Sequence, residues 1–189
     1  MYKHLYDQFA HWFHNDRGTV FFYSDPHFND DEMKHLRKNY IGDDEQVRRI
    51  NSKIGKYDTL VILGDVGDIE WVRKIRGYKV LIMGNHDKGA TNYKDVFNEV
   101  YEGALMVAPN IILTHEPIDF PYAMNIHGHT HGTKLFGRTY EERCRHQNMC
   151  AEFIDYTPVP LSYFIKYGFK EVVDIHRETI DRAVERKDK

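Results

Sequence analysis

Seven residues of related chemistry recur after apolar runs: Asp25 and His27, Asp65, Asn85, His115, and His129 with His131. Carboxylate, imidazole and amide oxygen are ligands for divalent ions. With no cysteine among them, they favour Mn, Fe, Zn, Co or Ni in a catalytic site over a structural zinc. Seven such donors suffice for two adjacent sites if one carboxylate is shared. In His129-Thr-His131 the imidazoles stand two residues apart, on the same side of an extended chain, and so can serve neighbouring ions. The most informative run is Thr59-Leu-Val-Ile-Leu-Gly-Asp-Val-Gly-Asp68. Its first five residues read as a buried strand, Gly64 breaks it, and Asp65 and Asp68 follow. An acid at the end of a buried strand is unfavourable unless paired or metal-bound, and in open α/β sheets that edge binds ligands. Plainer readings exist. Asp68 precedes Ile69-Glu-Trp-Val and reads as a helix N-cap, and Asp25-Pro26 reads as a turn. Turn chemistry alone does not account for the recurrence of such clusters after one strand after another.

The elements that must position these residues follow from periodicity. Residues 2–15 place Leu5, Phe9, Trp12 and Phe13 at helical spacing and predict an amphipathic helix; His4, His11 and His14 on it read as solvent-facing or locally satisfied. Strands are predicted at 19–24, 59–63 and 78–83, each ending in a polar cluster. Polar helices are expected at 31–38, capped by Asn29 or Asp30, and at 43–54, with a short helix after Asp68 and another over 92–100. Residues 105–108 and 111–114 read as a hairpin around Pro109-Asn110, closed by His115. Residues 123–126 lead into His127-Gly-His-Thr-His-Gly132. Residues 133–147 carry Lys134, Arg138, Arg143 and Arg145 without a hydrophobic period and read as a mobile basic loop; 148–154 reads as a last strand, 155–160 as a turn, and 161–189 as one or two helices.

At 189 residues and 41% hydrophobic, the chain is expected to form a single domain over 1–189 with a sizeable core. A net charge of -3 excludes a surface coated for nucleic acid, though not a local basic patch. Two cysteines, Cys144 and Cys150, lie in no ligand pattern and fit a reducing compartment. No secretory pattern opens the chain and no apolar run approaches the ~20 residues that span a bilayer. A cytoplasmic protein with no membrane partner is expected.

The order D-x-H, G-D-x-x-D, G-N-H-D, H, G-H-x-H, running from Tyr23 to Gly132, resembles the calcineurin-like metallophosphoesterases. The length, the His127–Gly132 run and Asp155-Tyr-Thr-Pro-Val resemble the small bacterial and phage members of that superfamily. The resemblance implies an α/β fold with a β-sandwich core of mixed sheets flanked by helices. It implies phosphoester hydrolysis by a hydroxide bridging two divalent ions, Mn being expected, with Fe, Zn, Co or Ni as alternatives. Asp25, His27 and His131 would hold one ion, Asn85, His115 and His129 the other, and Asp65 would bridge them. His86 would face the scissile phosphate with Asp68 orienting its ring, and Asp87 would support from behind. His127 is expected to pack beneath the site. Ile69-Glu70 and Asp87 depart from the protein Ser/Thr phosphatases, which disfavours a phosphoprotein substrate. No inter-motif segment is long enough for a cap domain, so an open groove taking phosphodiesters of nucleotides or small molecules is expected. Arg138 and Arg143 would form a cationic rim that binds substrate, set against a plain solvated loop balanced by Glu141 and Glu142. A nuclease acting on single-stranded or terminal nucleic acid, and a non-catalytic binding module on the same fold, stand as alternatives; a homodimer is left open.

Overall fold

The computed structural model describes residues 5–134, 137–167 and 172. Strand β1 (Val20–Tyr23) is followed by helices α1 (Asp31–Leu36) and α2 (Asp43–Lys53), and then by β2 (Thr59–Ile62). Every residue of β2 is buried, because both faces of this central strand are covered. Leu60 and Ile62 turn outward to Val47 and Ile50 of α2 and to Ile54 just past its end, while Val61 points inward with the flanking Leu63. Helix α3 (Ile69–Val72) and strands β3 (Tyr78–Ile82), β4 (Glu99–Tyr101), β5 (Leu105–Ala108), β6 (Ile111–Leu113) and β7 (Met124–His127) come next. Helix α4 (Tyr140–Arg145), strands β8 (His146–Asn148) and β9 (Val159–Pro160), and helix α5 (Leu161–Tyr167) complete the order.

The strands form two mixed sheets, so the class is α/β, as expected. One sheet runs β4-β3-β2-β1-β9, with β9 antiparallel on an otherwise parallel set; the other runs β5-β6-β7-β8, with β5 antiparallel to β6. Val20, Phe22, Val61, Val80 and Ile82 of the first sheet meet Val107, Ile111, Leu113, Met124 and Ile126 of the second in one apolar layer. At about 25 cal/mol per Å² of apolar area, that layer is the main term holding the sheets together. The register sets Tyr23 beside Ile62 and Ile62 beside Leu81, so β1, β2 and β3 end level with one another. β6 and β7 are parallel too, and the loops after these five strands open toward a common region.

Several elements differ from the sequence expectation. The first helix is a 3-10 helix, Asp7–Phe13, whose i, i+3 pair Phe9 and Trp12 is buried. The helix expected over 92–100 is a short 3-10 helix (Ala90–Asn92), a turn, and β4. There Tyr93, Val96 and Phe97 share an apolar face across one closed turn. The loop expected at 133–147 contains α4, started by a capping box between Thr139 and Glu142, and then β8. The strand expected at 148–154 lies earlier, at His146–Asn148, and a 3-10 helix (Ala151–Phe153) takes the later residues. The turn at 155–160 ends in β9, and α5 covers the first part of 161–189. The expected elements beyond residue 167, and residues 1–4 of the first helix, lie outside the described residues.

Candidate metal centre

Five strand ends supply the donors. After β1 the chain runs Ser24-Asp25-Pro26-His27, and Asp25 (φ 53°) and His27 (φ 46°) both take the left-handed conformation. The amide of Asp25 donates to Gly64 O at 3.1 Å and that of His27 to Asp65 O at 3.0 Å, which locks this turn onto the one after β2. Gly64 (φ 89°) lets that turn pass close to His115: a Cβ there would lie 2.4 Å from His115 Nδ1. Asp87 ties the β2 and β3 loops together, its carboxylate accepting from the amides of Asp65, Val66 and Gly84 and from the Tyr93 hydroxyl.

The seven residues lie on two sides of Asp65, with Asp25, His27 and His131 on one and His115, His129 and, through them, Asn85 on the other. On the first, His27 Nε2 stands 3.9 Å from Asp25 Oδ1 and 3.6 Å from Asp65 Oδ2, and His131 Nε2 stands 3.3 Å from Asp25 Oδ1. On the second, His115 Nε2 is 3.4 Å from Asp65 Oδ2 and 2.8 Å from Asn85 Oδ1; His129 Nδ1 is 3.1 Å from Asn85 Oδ1 and 3.2 Å from His115 Nε2. Cys150 adds a thiol near Asp25 and His131. Three imidazoles are held by their far nitrogens: His27 Nδ1 against Asp30 Oδ2 at 3.0 Å, His115 Nδ1 against Leu63 O at 2.8 Å, and His131 Nδ1 against Glu152 Oε1 at 2.7 Å. Each of these partners can only accept, so each imidazole spends its N–H there and turns Nε2 toward the cluster.

A lone pair aimed at a carboxylate needs a cation between them. His115 and His131 meet that need with a proton. Burial pushes both imidazoles down, but Asp65 beside His115, and Asp25 and Glu152 beside His131, hold each at about 9. Burial raises the Asp25 carboxyl, yet the His131 contact, the charges of His115 and His131, and the Ser24 hydroxyl leave it well below the usual range. Asp65 is likewise lowered, burial being outweighed by His115. His27 goes the other way: burial lowers it against the pull of Asp25. His27 Nε2 and Asp25 Oδ1 are buried with no hydrogen-bond partner. That pair of orphaned atoms, facing each other with Asp65 alongside, is the donor geometry a divalent cation satisfies. The residues fit the group they would hold.

The other expected residues are placed as follows. His86 is exposed beside the cluster, its ring 5.7 Å from that of His27 and its amide donating to Asp65 Oδ1 at 3.0 Å. Asp68 caps α3, accepting from Glu70 N at 3.0 Å. Among the described residues no hydrogen bond joins Asp68 to His86, although both line a cavity of about 760 Å³ with His27, Asp30, Glu32 and Lys88. A second cavity of about 430 Å³, lined by Lys38, Asn39, His131 and Glu152, meets the cluster at His131. His127 is fully buried beside the His146 ring, and burial pushes it down to about 4. Among the described residues no hydrogen bond or ion pair joins Arg138 or Arg143 to the seven donors. Arg143 donates to Thr139 O and Arg138 O and lines a cavity beside β9 that contains none of the seven donors. The Arg138 amide is spent on Glu142. Sequence reading missed Arg37 and Glu152: Arg37 follows no predicted strand, and Glu152 lies inside the stretch read as the last strand rather than at its end.

Fold and site together define an α/β protein with a histidine–carboxylate cluster at the ends of its parallel strands. No family profile matches the chain, and no curated protein matches it significantly. Among solved structures it is similar to a protein of unknown function from Aquifex aeolicus, with a TM-score of 0.64 and 22% identity over 79% of this chain and 99% of that one. It also aligns with the nuclease MPE of Pseudomonas putida, with a TM-score of 0.42 and 22% identity over 59% of this chain and 61% of that one. Among the described residues no helix is long and apolar enough to cross a membrane.

Proposed function

We propose that the chain is a calcineurin-like phosphoesterase that hydrolyses phosphodiesters of nucleotides or small molecules with two divalent ions, Mn being the expected metal. The observation that carries this reading is the orphaned pair His27 Nε2 and Asp25 Oδ1, set beside Asp65 and the other imidazoles of the cluster. Ions bound there would supply Lewis-acid polarisation of a phosphoryl oxygen and activation of water. The chain's own residues do the rest. Asp30, Leu63 O and Glu152 hold the imidazole tautomers that leave Nε2 open. His86, exposed beside the cluster, reaches a phosphoryl oxygen or the leaving oxygen, stabilising charge and donating a proton. The two cavities give room for two substituents on the phosphate, which supports a diester.

The test compares aryl diester and monoester turnover, with and without Mn²⁺, in wild type and His86→Ala. Mn-dependent turnover is expected, with the diester at least as good as the monoester. The variant should keep its metal but lose roughly 10²–10⁴-fold in rate. Single-stranded DNA and RNA in the same assay separate a nuclease from a small-molecule diesterase. Two bound ions without turnover of any substrate would make the fold a binding module and overturn the proposal.

A further inference from the structure

Helix α1 is six residues long and buries one apolar side chain, Met33. Its packing alone gives little reason for its placement. Its two ends supply another. At the N-cap, Asp30 accepts from the amides of Glu32 and Met33 and also holds His27 Nδ1 at 3.0 Å. At the C-cap, the chain leaves the helix at Arg37, whose backbone is extended (φ -85°, ψ 116°) and whose side chain is 1% exposed. The Arg37 guanidinium donates through Nη2 to Asp25 O at 2.5 Å and through Nη1 to Pro26 O at 3.4 Å. Its Nε stands 3.3 Å from Glu152 Oε2. The other oxygen of Glu152 holds His131 Nδ1 at 2.7 Å. Glu152 is itself 8% exposed, so this is an ion pair out of water, held by three partners: the carbonyls of Asp25 and Pro26 and the His131 ring.

From this geometry we propose that Arg37 and Glu152 form a positioning pair for the Asp25–His27–His131 half of the centre. One guanidinium fixes the backbone that carries Asp25 and, through Glu152, the imidazole of His131. Arginine suits the task because its planar fork presents five donors in fixed directions: here two nitrogens donate to the carbonyls of Asp25 and Pro26, while Nε faces Glu152 as an ion pair without hydrogen-bond geometry. Glu152 adds negative charge behind His131, which commits the N–H to Nδ1 and strengthens Nε2 as a donor toward the cluster. Among the described residues none of the hydrogen bonds or ion pairs of Arg37 or Glu152 involves Asn85, His115 or His129, so the effect is confined to one half-site. The inference rests on the reading of the cluster as a two-ion site.

The experiment is calorimetric titration of Mn²⁺ into the ion-free full chain, with tautomer assignment of the His131 ring by ¹⁵N NMR as a readout independent of any metal. Wild type should show two binding steps. Glu152→Ala should weaken one of them by roughly 10–100-fold and leave the other in place, and Glu152→Gln, which keeps an acceptor for His131, should weaken the same step by less. Read in the ion-free state at about pH 10, above the value of about 9 at which the ring becomes neutral, the His131 Nδ1–H tautomer should dominate in wild type and Glu152→Gln and be lost in Glu152→Ala. Introduced into His131→Ala, Glu152→Ala should add nothing, because it acts through that ring. If Glu152→Ala does not fold, the isosteric Glu152→Gln carries the affinity readout, and two unaltered affinities in it would overturn the positioning role. Two unaltered affinities and an unaltered tautomer in a folded variant would overturn the positioning role alone. A wild-type chain that takes up no Mn²⁺ would overturn the metal reading, and the positioning role with it.

Discussion

Replacing Gly128 with alanine tests how tightly the loop after β7 closes on Asp25. A Cβ at this position would lie 1.9 Å from Ser24 Oγ and 2.1 Å from Asp25 Oδ2, where ordinary contact begins at 3.4 Å. The loop and the carboxylate must therefore separate by about 1.3 Å. Neither neighbour can swing aside, because both are fully buried and Asp25 Oδ2 is already held by Ser24 Oγ at 2.5 Å and the His129 amide at 2.9 Å. Gly128 is not in the left-handed region, so the effect is steric rather than conformational. Overpacking of this kind costs about 1–3 kcal/mol, which in a chain of this size lowers the melting midpoint by several degrees. A ligand displaced by about 1 Å costs on the order of 10²-fold in turnover. Gly132, four residues on, has nothing within 4 Å of the point a Cβ would occupy and provides the control. Bound Mn by elemental analysis, the melting midpoint of the ion-free chain, and kcat/KM on an aryl diester should all fall for Gly128→Ala and hold for Gly132→Ala. Equal behaviour of the two variants would refute the close-approach argument.

Asp65→Asn removes the carboxylate shared by both donor groups and should deplete both ions; elemental analysis finding near two per chain would sink the bridging role. With ions chelated away, stability should fall as pH rises from about 6.5 toward 9. His115 and His131 are raised in the folded state, so the folded chain holds more protons than the unfolded one; their contribution is complete below 6.5 and gone above 9. Urea midpoints at about pH 6 and about pH 9 check the sign, and a rise would contradict it. The double change Arg138→Ala, Arg143→Ala should leave the salt dependence of nucleotide-diester turnover as it is, since Arg143 is spent on carbonyls of its own segment. A flatter salt response would return these residues to the substrate path.

The donors were legible because each follows a strand whose burial shows in composition and whose end is marked by a polar cluster. Val61 and Leu63 could hardly face anything but a core, and a glycine-aspartate break after them has few structural uses. The helices were readable where a full apolar face repeats, as in Val47, Ile50 and Ile54. Short elements set by partners were not. β4 is a strand because Glu99, Val100 and Tyr101 pair with β3, while Tyr93, Val96 and Phe97 just before it imitate helical spacing. β9 is two residues, and its pairing with Phe21 and Phe22 leaves no local signature. Arg37 and Glu152 escaped for a related reason. They lie 115 positions apart and are joined only through contacts the fold creates.

Four of the seven donors, Asp25, His27, Asp65 and His129, sit at positive φ. Away from glycine, that conformation is tolerated mainly by asparagine and aspartate. The consequence is a narrow and lopsided field for sequence drift. Most replacements at Asp25 or Asp65 add backbone strain to the loss of a donor, whereas asparagine keeps the backbone comfortable and removes a buried charge. A lineage released from selection for chemistry should therefore drift first to asparagine at these two positions. It would keep its sheets and its clustered histidines, and yield a folded but inactive descendant rather than an unfolded one.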